Sequence, residues 1–249
     1  MSGQNFRTAQ IGERTNVEGK PVQNKVLLAM PDDEYKLLRP DLTHVDLPHH
    51  LSLHEPTQKI EFAYFPNRGM VSQVVVTKDG RTVEVGVVGK EGYAGAGLAA
   101  GLSRSSVREI IQIAGDGFRM MGNALELILR SAPKLQLILS RHAGLQGMQV
   151  AQTAACNRLH DIEQRLSRWL LMTQDRVDSG VLPITHDFIA TMMGTDRSTV
   201  SLAAAALQKK GIIEYARGAV KVVNRRKLEK SACECYGVIH QFEDDLGLR

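Results

Sequence analysis

Cysteine is scarce in this chain. Three are present, Cys156, Cys233 and Cys235, an odd number and few for 249 residues. That excludes a disulfide scaffold and fits a reducing compartment. Cys233-Glu-Cys235 offers two metal ligands, but sequence spacing puts no His or further Cys beside them, too few for structural zinc, so no metal is expected. Long apolar runs are also missing. None approaches the roughly 20 residues of a membrane-spanning helix, and no signal peptide opens the sequence. The expectation is a cytoplasmic protein without a membrane partner. Gly-x-Ser-x-Gly, a phosphate-binding P-loop and a convincing nucleophile–base pair are absent too. No enzyme activity is therefore expected.

What is present is ordinary in bulk and uneven in placement. Hydrophobic residues make up 43% and charged residues 23%, as in soluble globular proteins, and the length allows two modest domains. The formal net charge is +4, yet residues 181–230 alone hold nine Lys/Arg against four Asp/Glu. The positive charge is concentrated where phosphate contact would need it.

Within that basic segment, Thr185 is placed to cap a short helix, with Asp187 in its first turn. Phe188, Ile189 and Met192 give it one apolar face, and Gly194 ends it. Asp196 caps a second helix, whose buried side reads Val200, Ala203, Ala204, Leu207. Arg197, Ser198, Ser201 and Leu202 occupy the opposite face, fit for a major groove. Two packed helices of any small α domain would share some of this pattern. Gly211–Tyr215 and Ala219–Val223 then read as strands of a hairpin, with Arg217-Gly218 at the turn. Together these form a winged helix-turn-helix.

The pattern Ile-Thr-x-x-x-Ile-Ala-x-x-x-Gly-x-x-Arg-x-Thr-Val-x-x-x-x-x-x-Leu stands without a gap from Ile184 to Leu207. It resembles the DNA-binding domain of the Crp/Fnr family of bacterial transcription regulators. The resemblance implies a cyclic-nucleotide-binding-like jelly roll, a dimerisation helix and control of transcription. It also implies double-stranded DNA and a second copy of the chain as partners, with RNA polymerase added for an activator. Some such regulators hold an iron–sulfur cluster on N-terminal cysteines; none precedes Cys156 here.

The rest of the chain supports an α+β fold in that order. Residues 1–23 are polar and read as a flexible tail. Residues 24–143 form the sensory domain. Val26–Met30 and Pro31–Leu38 suggest two short helices. Val45–Leu47, His50–Leu53, Ile60–Pro66, Val71–Thr77, Thr82–Val88 and Val107–Ile113 suggest the strands of a double-sheet jelly roll, with a turn at Asp79-Gly80. Residues 144–177 read as one long helix for dimerisation, with Met148, Ala155, Leu159, Ile162 and Leu166 at the interface. A long core helix within one domain is the alternative. Asp178-Ser179-Gly180 is the hinge, and 178–249 is the DNA-binding domain with a basic helix from Arg225 and a helical C-terminus.

For ligands, the family's phosphate cassette aligns with Gly89–Ala99 and Ser103–Ser106. Gly92, Tyr93, Arg104 and Ser105 are the candidate ligand-binding residues, Arg104 gripping a small anionic effector. Tyr93 stands where cyclic-nucleotide-binding members have glutamate, and Val150-Ala151 replace the Thr-Ser pair that meets adenine. Cyclic AMP is therefore disfavoured and the pocket reads as degenerate. His49, His50 and His54 with Glu55 do not reproduce the spacing of jelly-roll iron enzymes. A heme sensor, with these His residues or Cys156 as axial ligands, or a metal-dependent jelly-roll enzyme fused to a DNA-binding domain are the rival readings.

For DNA, Arg197 is expected to read a base, bidentate to guanine. Ser198, Thr199 and Ser201 add base or phosphate contacts, Leu202 packs on a thymine methyl, and Thr185 and Lys221 bind phosphates. A homodimer would then read a palindromic operator. In the best-known members a glutamate and a second arginine stand where this chain has Ser198 and Leu202, so their operator does not carry over.

Overall fold

A computed structural model describes residues 8–177, 179–216 and 218–245. Residues 8–23, expected as part of a flexible tail, are instead packed on the domain. Arg14 is buried, and its guanidinium donates to the carbonyls of Leu28 (3.2 Å) and Met30 (2.6 Å) and to the Asp32 carboxylate (2.7 Å). Asn16 donates to the Leu42 carbonyl at 3.2 Å, and Val22 is fully buried. This segment is held by polar side chains on backbone carbonyls, which leaves no apolar period in the sequence to read.

Helix α1 (Lys25–Ala29) starts at Asn24, whose side chain accepts from the Leu27 N–H, and α2 (Asp32–Leu38) follows with three acids in its first turn. The strands β1 (Thr43–Leu47), β2 (Ser52–His54), β3 (Phe62–Val76), β4 (Thr82–Val88) and β5 (Arg108–Met121) make an antiparallel jelly-roll-like sheet ordered β1-β5-β3-β4, with β2 also on β5. Two of the expected short strands are halves of β3, and the expected Val107–Ile113 strand runs on to Met121. The glycines that look like terminators are bends. Register shifts cluster between Pro66 and Val71, opposite Gly115. A Cβ on Gly115 would stand 2.1 Å from the Arg68 carbonyl oxygen, and one on Gly69 (φ +85°) 2.5 Å from that of Ile113. Only glycine lets the two long strands cross this closely while curling.

Helix α3 (Gly122–Leu129) leads to α4 (Pro133–Leu159) and α5 (Ile162–Val177). The single helix expected over 144–177 is thus two, and α4 begins at Pro133. His160 leaves the helix with φ −109° and ψ 150°. Asp161 Oδ1 then accepts from Gln164 N (2.9 Å) while Gln164 Oε1 accepts from Asp161 N (3.2 Å), a reciprocal cap that starts α5. Ile162 and Leu166 consequently leave the expected dimer seam. Leu166 is buried in the C-terminal core, with Ile162 packed against it.

After β6 (Val181–Leu182) come α6 (His186–Met193), α7 (Arg197–Lys209), β7 (Ile213–Ala216), β8 (Ala219–Val222), α8 (Arg225–Ser231) and α9 (Cys235–Asp245). The strands pair in the order β6-β8-β7, so the expected wing hairpin gains a third strand from the linker. Asp178 of the expected hinge, Arg217 of the expected turn and residues 1–7 and 246–249 lie outside the described residues. One core joins α1 and α2 to the sheet and the start of α4; another joins α5 to the C-terminal helices and strands. No described helix is long and apolar enough to cross a membrane.

Candidate nucleic-acid interface

The local chemistry places α7 as its sequence directs. Thr185 accepts from the Phe188 N–H at 3.2 Å, which starts α6. Gly194 ends it in the left-handed region at φ +63°. Asp196 starts α7 by accepting from Thr199 N (2.8 Å), and its carboxylate also takes the Thr199 hydroxyl (2.7 Å) and the Ser198 hydroxyl. These bonds, that of Ser198 first, hold the Asp196 carboxyl far below its usual range. Val200, Ala203, Ala204 and Leu207 are buried as expected, so the inner face of α7 is committed to packing.

The outer face is open. Arg197 is 68% and Leu202 74% exposed, at the start and first turns of α7. Arg197 Nη1 lies 3.1 Å from Asp187 Oδ2, which ties the guanidinium back to α6. Ser201 is half-buried, its hydroxyl 3.0 Å from His186 Nδ1. His186 stacks on Tyr215 of β7 at 3.9 Å between centroids. Burial, then the charge of Arg197, lowers the His186 pKa and so favours the neutral ring. Sequence reasoning missed this His186–Tyr215–Ser201 assembly, because its partners lie on three separate elements. Lys221 on β8 is exposed and pairs at 3.4 Å with Glu214, its cross-strand neighbour on β7. Thr185, Ser198 and Lys221 all lie on the solvent side of the domain; Thr199 is half-buried against its cap.

The sequence pattern of the Crp-like helix-turn-helix domain matches residues 164–231, spanning most of α5 through α8. The chain carries a Crp-like helix-turn-helix domain there. Its overall fold agrees. The c-di-GMP-responsive global regulator CLP of Xanthomonas campestris superposes with a TM-score of 0.64 at 15% identity, over 77% of this chain and 99% of that one. FixK2 from Bradyrhizobium japonicum gives 0.63 at 15%, over 77% and 98%. A Crp/Fnr-family transcriptional regulator from Thermus thermophilus gives 0.63 at 19%, over 76% and 98%. No protein of curated function matches the sequence.

The expected ligand pocket does not assemble from the expected residues. Tyr93 is fully buried, stacked on Phe65, its hydroxyl donating to the carbonyls of Ala96 (3.2 Å) and Leu139 (3.4 Å). Burial pushes its phenol far above the usual range. Gly92 lies hard against α4, since a Cβ there would meet His142 Nε2 at 1.9 Å. Arg104 lies on the exposed surface and donates to the Thr57 carbonyl at 2.6 Å, while Ser105 accepts from the Val107 N–H. Core packing thus claims Tyr93 and Gly92, and a loop holds the other two.

Side chains fill the space between sheet and α4. Gln73 Nε2 donates to Glu109 (2.8 Å), Gln149 Oε1 accepts from Val87 N (2.6 Å), and Gln146 donates to the Tyr93 carbonyl (3.3 Å). The histidines do not converge either. His49 and His50 are exposed, their rings 3.8 Å apart and tilted at 51°, whereas His54 is buried 3.6 Å from Glu109.

The reading of Cys233 and Cys235 as lacking companions is corrected. Cys156 on the last turn of α4 and His160 at its cap meet Cys233 and Cys235 where α9 begins. Of the expected dimer residues on α4, Met148 (47%), Ala155 and Leu159 (75%) are exposed.

Proposed function

We propose that the chain works as a homodimer on a palindromic operator, with α7 of each copy in the major groove. The observation that carries this is the division of α7. Four small or apolar residues anchor one side, while Arg197 and Leu202 are exposed on the other, towards the end of the helix that enters a groove in such motifs. Arg197 would take a guanine edge, Ser198 a neighbouring base or phosphate, and Leu202 a thymine methyl. Thr185 and Lys221, flanking that face on the α6 start and the wing, would hold phosphates. Ser201 would serve mainly to fix His186 and hence the wing against α7.

Met148, Gln152, Ala155 and Leu159 recur at steps of four, three and four along α4, the spacing of a coiled-coil seam. Two copies joined there would present two α7 helices about one helical turn of DNA apart. The test is selection of bound sequences from a random duplex pool by the intact chain. A palindrome of two half-sites about ten base pairs apart is expected. Enrichment of single half-sites, or of none, would refute the dimeric reading.

A further inference from the structure

We propose that Cys156, His160, Cys233 and Cys235 form a closed Cys3His site for a single zinc-class divalent ion. Their ligand atoms all lie within 4.8 Å of one another. Cys156 Sγ is 3.5 Å from Cys233 Sγ, and Cys235 Sγ is 3.6 Å from His160 Nδ1. Four atoms bound at about 2.0–2.3 Å around one tetrahedral ion stand roughly 3.4–3.8 Å apart. Those two separations already match what a mononuclear ion requires, and the 4.8 Å limit on the rest leaves about 1 Å of closure. An iron–sulfur cluster needs wider spacing, because its own iron and sulfide atoms lie between the thiolates.

The surroundings suit a metal beyond the four ligands. His160 turns Nδ1 toward the sulfurs, and its Nε2 lies 3.2 Å from Glu234 Oε1. A carboxylate on the far nitrogen fixes the tautomer that leaves Nδ1 free to bind. Gln152 Nε2 is 2.9 Å from Cys235 Sγ, which gives that sulfur an N–H donor when it is a thiolate. The ion would displace three thiol protons to solvent, leaving a formal charge of −1 on the completed centre. Arg168, buried on α5, acts electrostatically on both Cys156 and Cys235, and Arg165 on Cys156. All three cysteines are buried, so the sulfurs are shielded from bulk thiol exchange.

The site's place in the fold gives it a consequence. Cys156 and His160 belong to the last turn of α4 and its cap, immediately before the break that starts α5. Cys233 and Cys235 join α8 to α9. A bound ion would therefore fasten the end of the DNA-binding domain to the α4 helix at the joint between the two domains. Loss of the ion would loosen that joint.

The test uses the whole chain, reduced and stripped with a chelator, titrated anaerobically with Co2+ and then Zn2+. We expect one Co2+ per chain, with the strong visible bands of tetrahedral cobalt and thiolate charge transfer, and bleaching by one equivalent of Zn2+. Glu234→Gln should keep the spectrum and weaken Co2+ affinity about 10–100-fold. Cys156→Ser with Cys233→Ser should abolish the tetrahedral spectrum. Absence of that spectrum in the wild-type chain, or its persistence in the double variant, would overturn the proposal. So would a Cys156–Cys233 disulfide in chain isolated without air that takes up no metal after reduction. None of these readouts involves DNA, so they stand apart from the proposed operator reading.

Discussion

The Trp169 indole N–H donates to Glu84 Oε1 at 2.7 Å, joining β4 of the N-terminal sheet to α5 of the C-terminal half. Ser72 on β3 donates to the other carboxylate oxygen, and Met192 of α6 brings its sulfur to 3.6 Å from the Ser72 hydroxyl. A buried carboxyl thus sits where the sheet, α5 and the helix-turn-helix meet. Desolvation raises its pKa to about 7, outweighing the bonds from Ser72 and Trp169 and the charges of Arg168 and Arg176.

That makes the junction pH-sensitive in a defined direction. A carboxyl whose folded pKa is above the unfolded value of 4.5 binds protons more tightly when folded. Its stabilising contribution is complete below 4.5 and is lost as pH rises to about 7, by roughly 3–4 kcal/mol. The urea midpoint of the wild-type chain should fall across that window, allowing for other groups, and Glu84→Gln should flatten the fall. Equal slopes in the two proteins would show that Glu84 does not titrate there.

Legibility followed the range of the interactions. The α6–α7 unit was readable residue by residue, because Thr185, Gly194 and Asp196 act on backbone within three positions of themselves. The Asp161-x-x-Gln164 cap was also local, but the apolar spacing running through it masked it. Tyr93 was misread because its neighbours Phe65 and Leu139 are distant in sequence. The cysteine cluster was illegible for the same reason: 77 residues separate Cys156 from Cys233, and only the return of α9 onto α4 joins them. Arg14 and Asn16 gave no signal because they bind carbonyls, which every residue carries.

Arg197 is held by Asp187 in the free protein, and both side chains are largely exposed, so the pair is weak and easily exchanged for a base edge. Arg197→Ala should cost roughly 1–3 kcal/mol on the selected operator and relax preference at one base position in each half-site. Asp187→Asn should leave that preference intact and tighten all DNA slightly by removing a negative charge near the phosphates. Competition binding with single-base operator variants separates the two. An Arg197→Ala protein with unchanged preference would place base reading elsewhere.

Lys221 stands on the wing, paired across the hairpin with Glu214. Lys221→Ala should weaken specific and non-specific duplexes about equally and lower the slope of log affinity against log salt by about one per subunit. Binding isotherms at several salt concentrations measure this directly. A loss of discrimination with an unchanged slope would assign Lys221 to a base instead of a phosphate.

Leu159 is 75% exposed at the end of α4, in line with Ala155 and Met148. Apolar side chains of this size seldom face water together along one helical seam unless another surface covers them. Burying a leucine contributes roughly 1.5–3 kcal/mol, so two copies in a dimer contribute roughly 3–6 kcal/mol. Leu159→Glu removes that burial and sets two like charges near each other. The dimer should weaken by at least roughly two orders of magnitude, while the far-ultraviolet circular dichroism stays unchanged because the side chain has little intrachain packing to lose. Sedimentation over a range of concentrations reads the first effect. Operator affinity should fall toward that of one half-site in parallel. A Leu159→Glu chain that remains a tight dimer would move the interface off this seam and leave Leu159 to another surface.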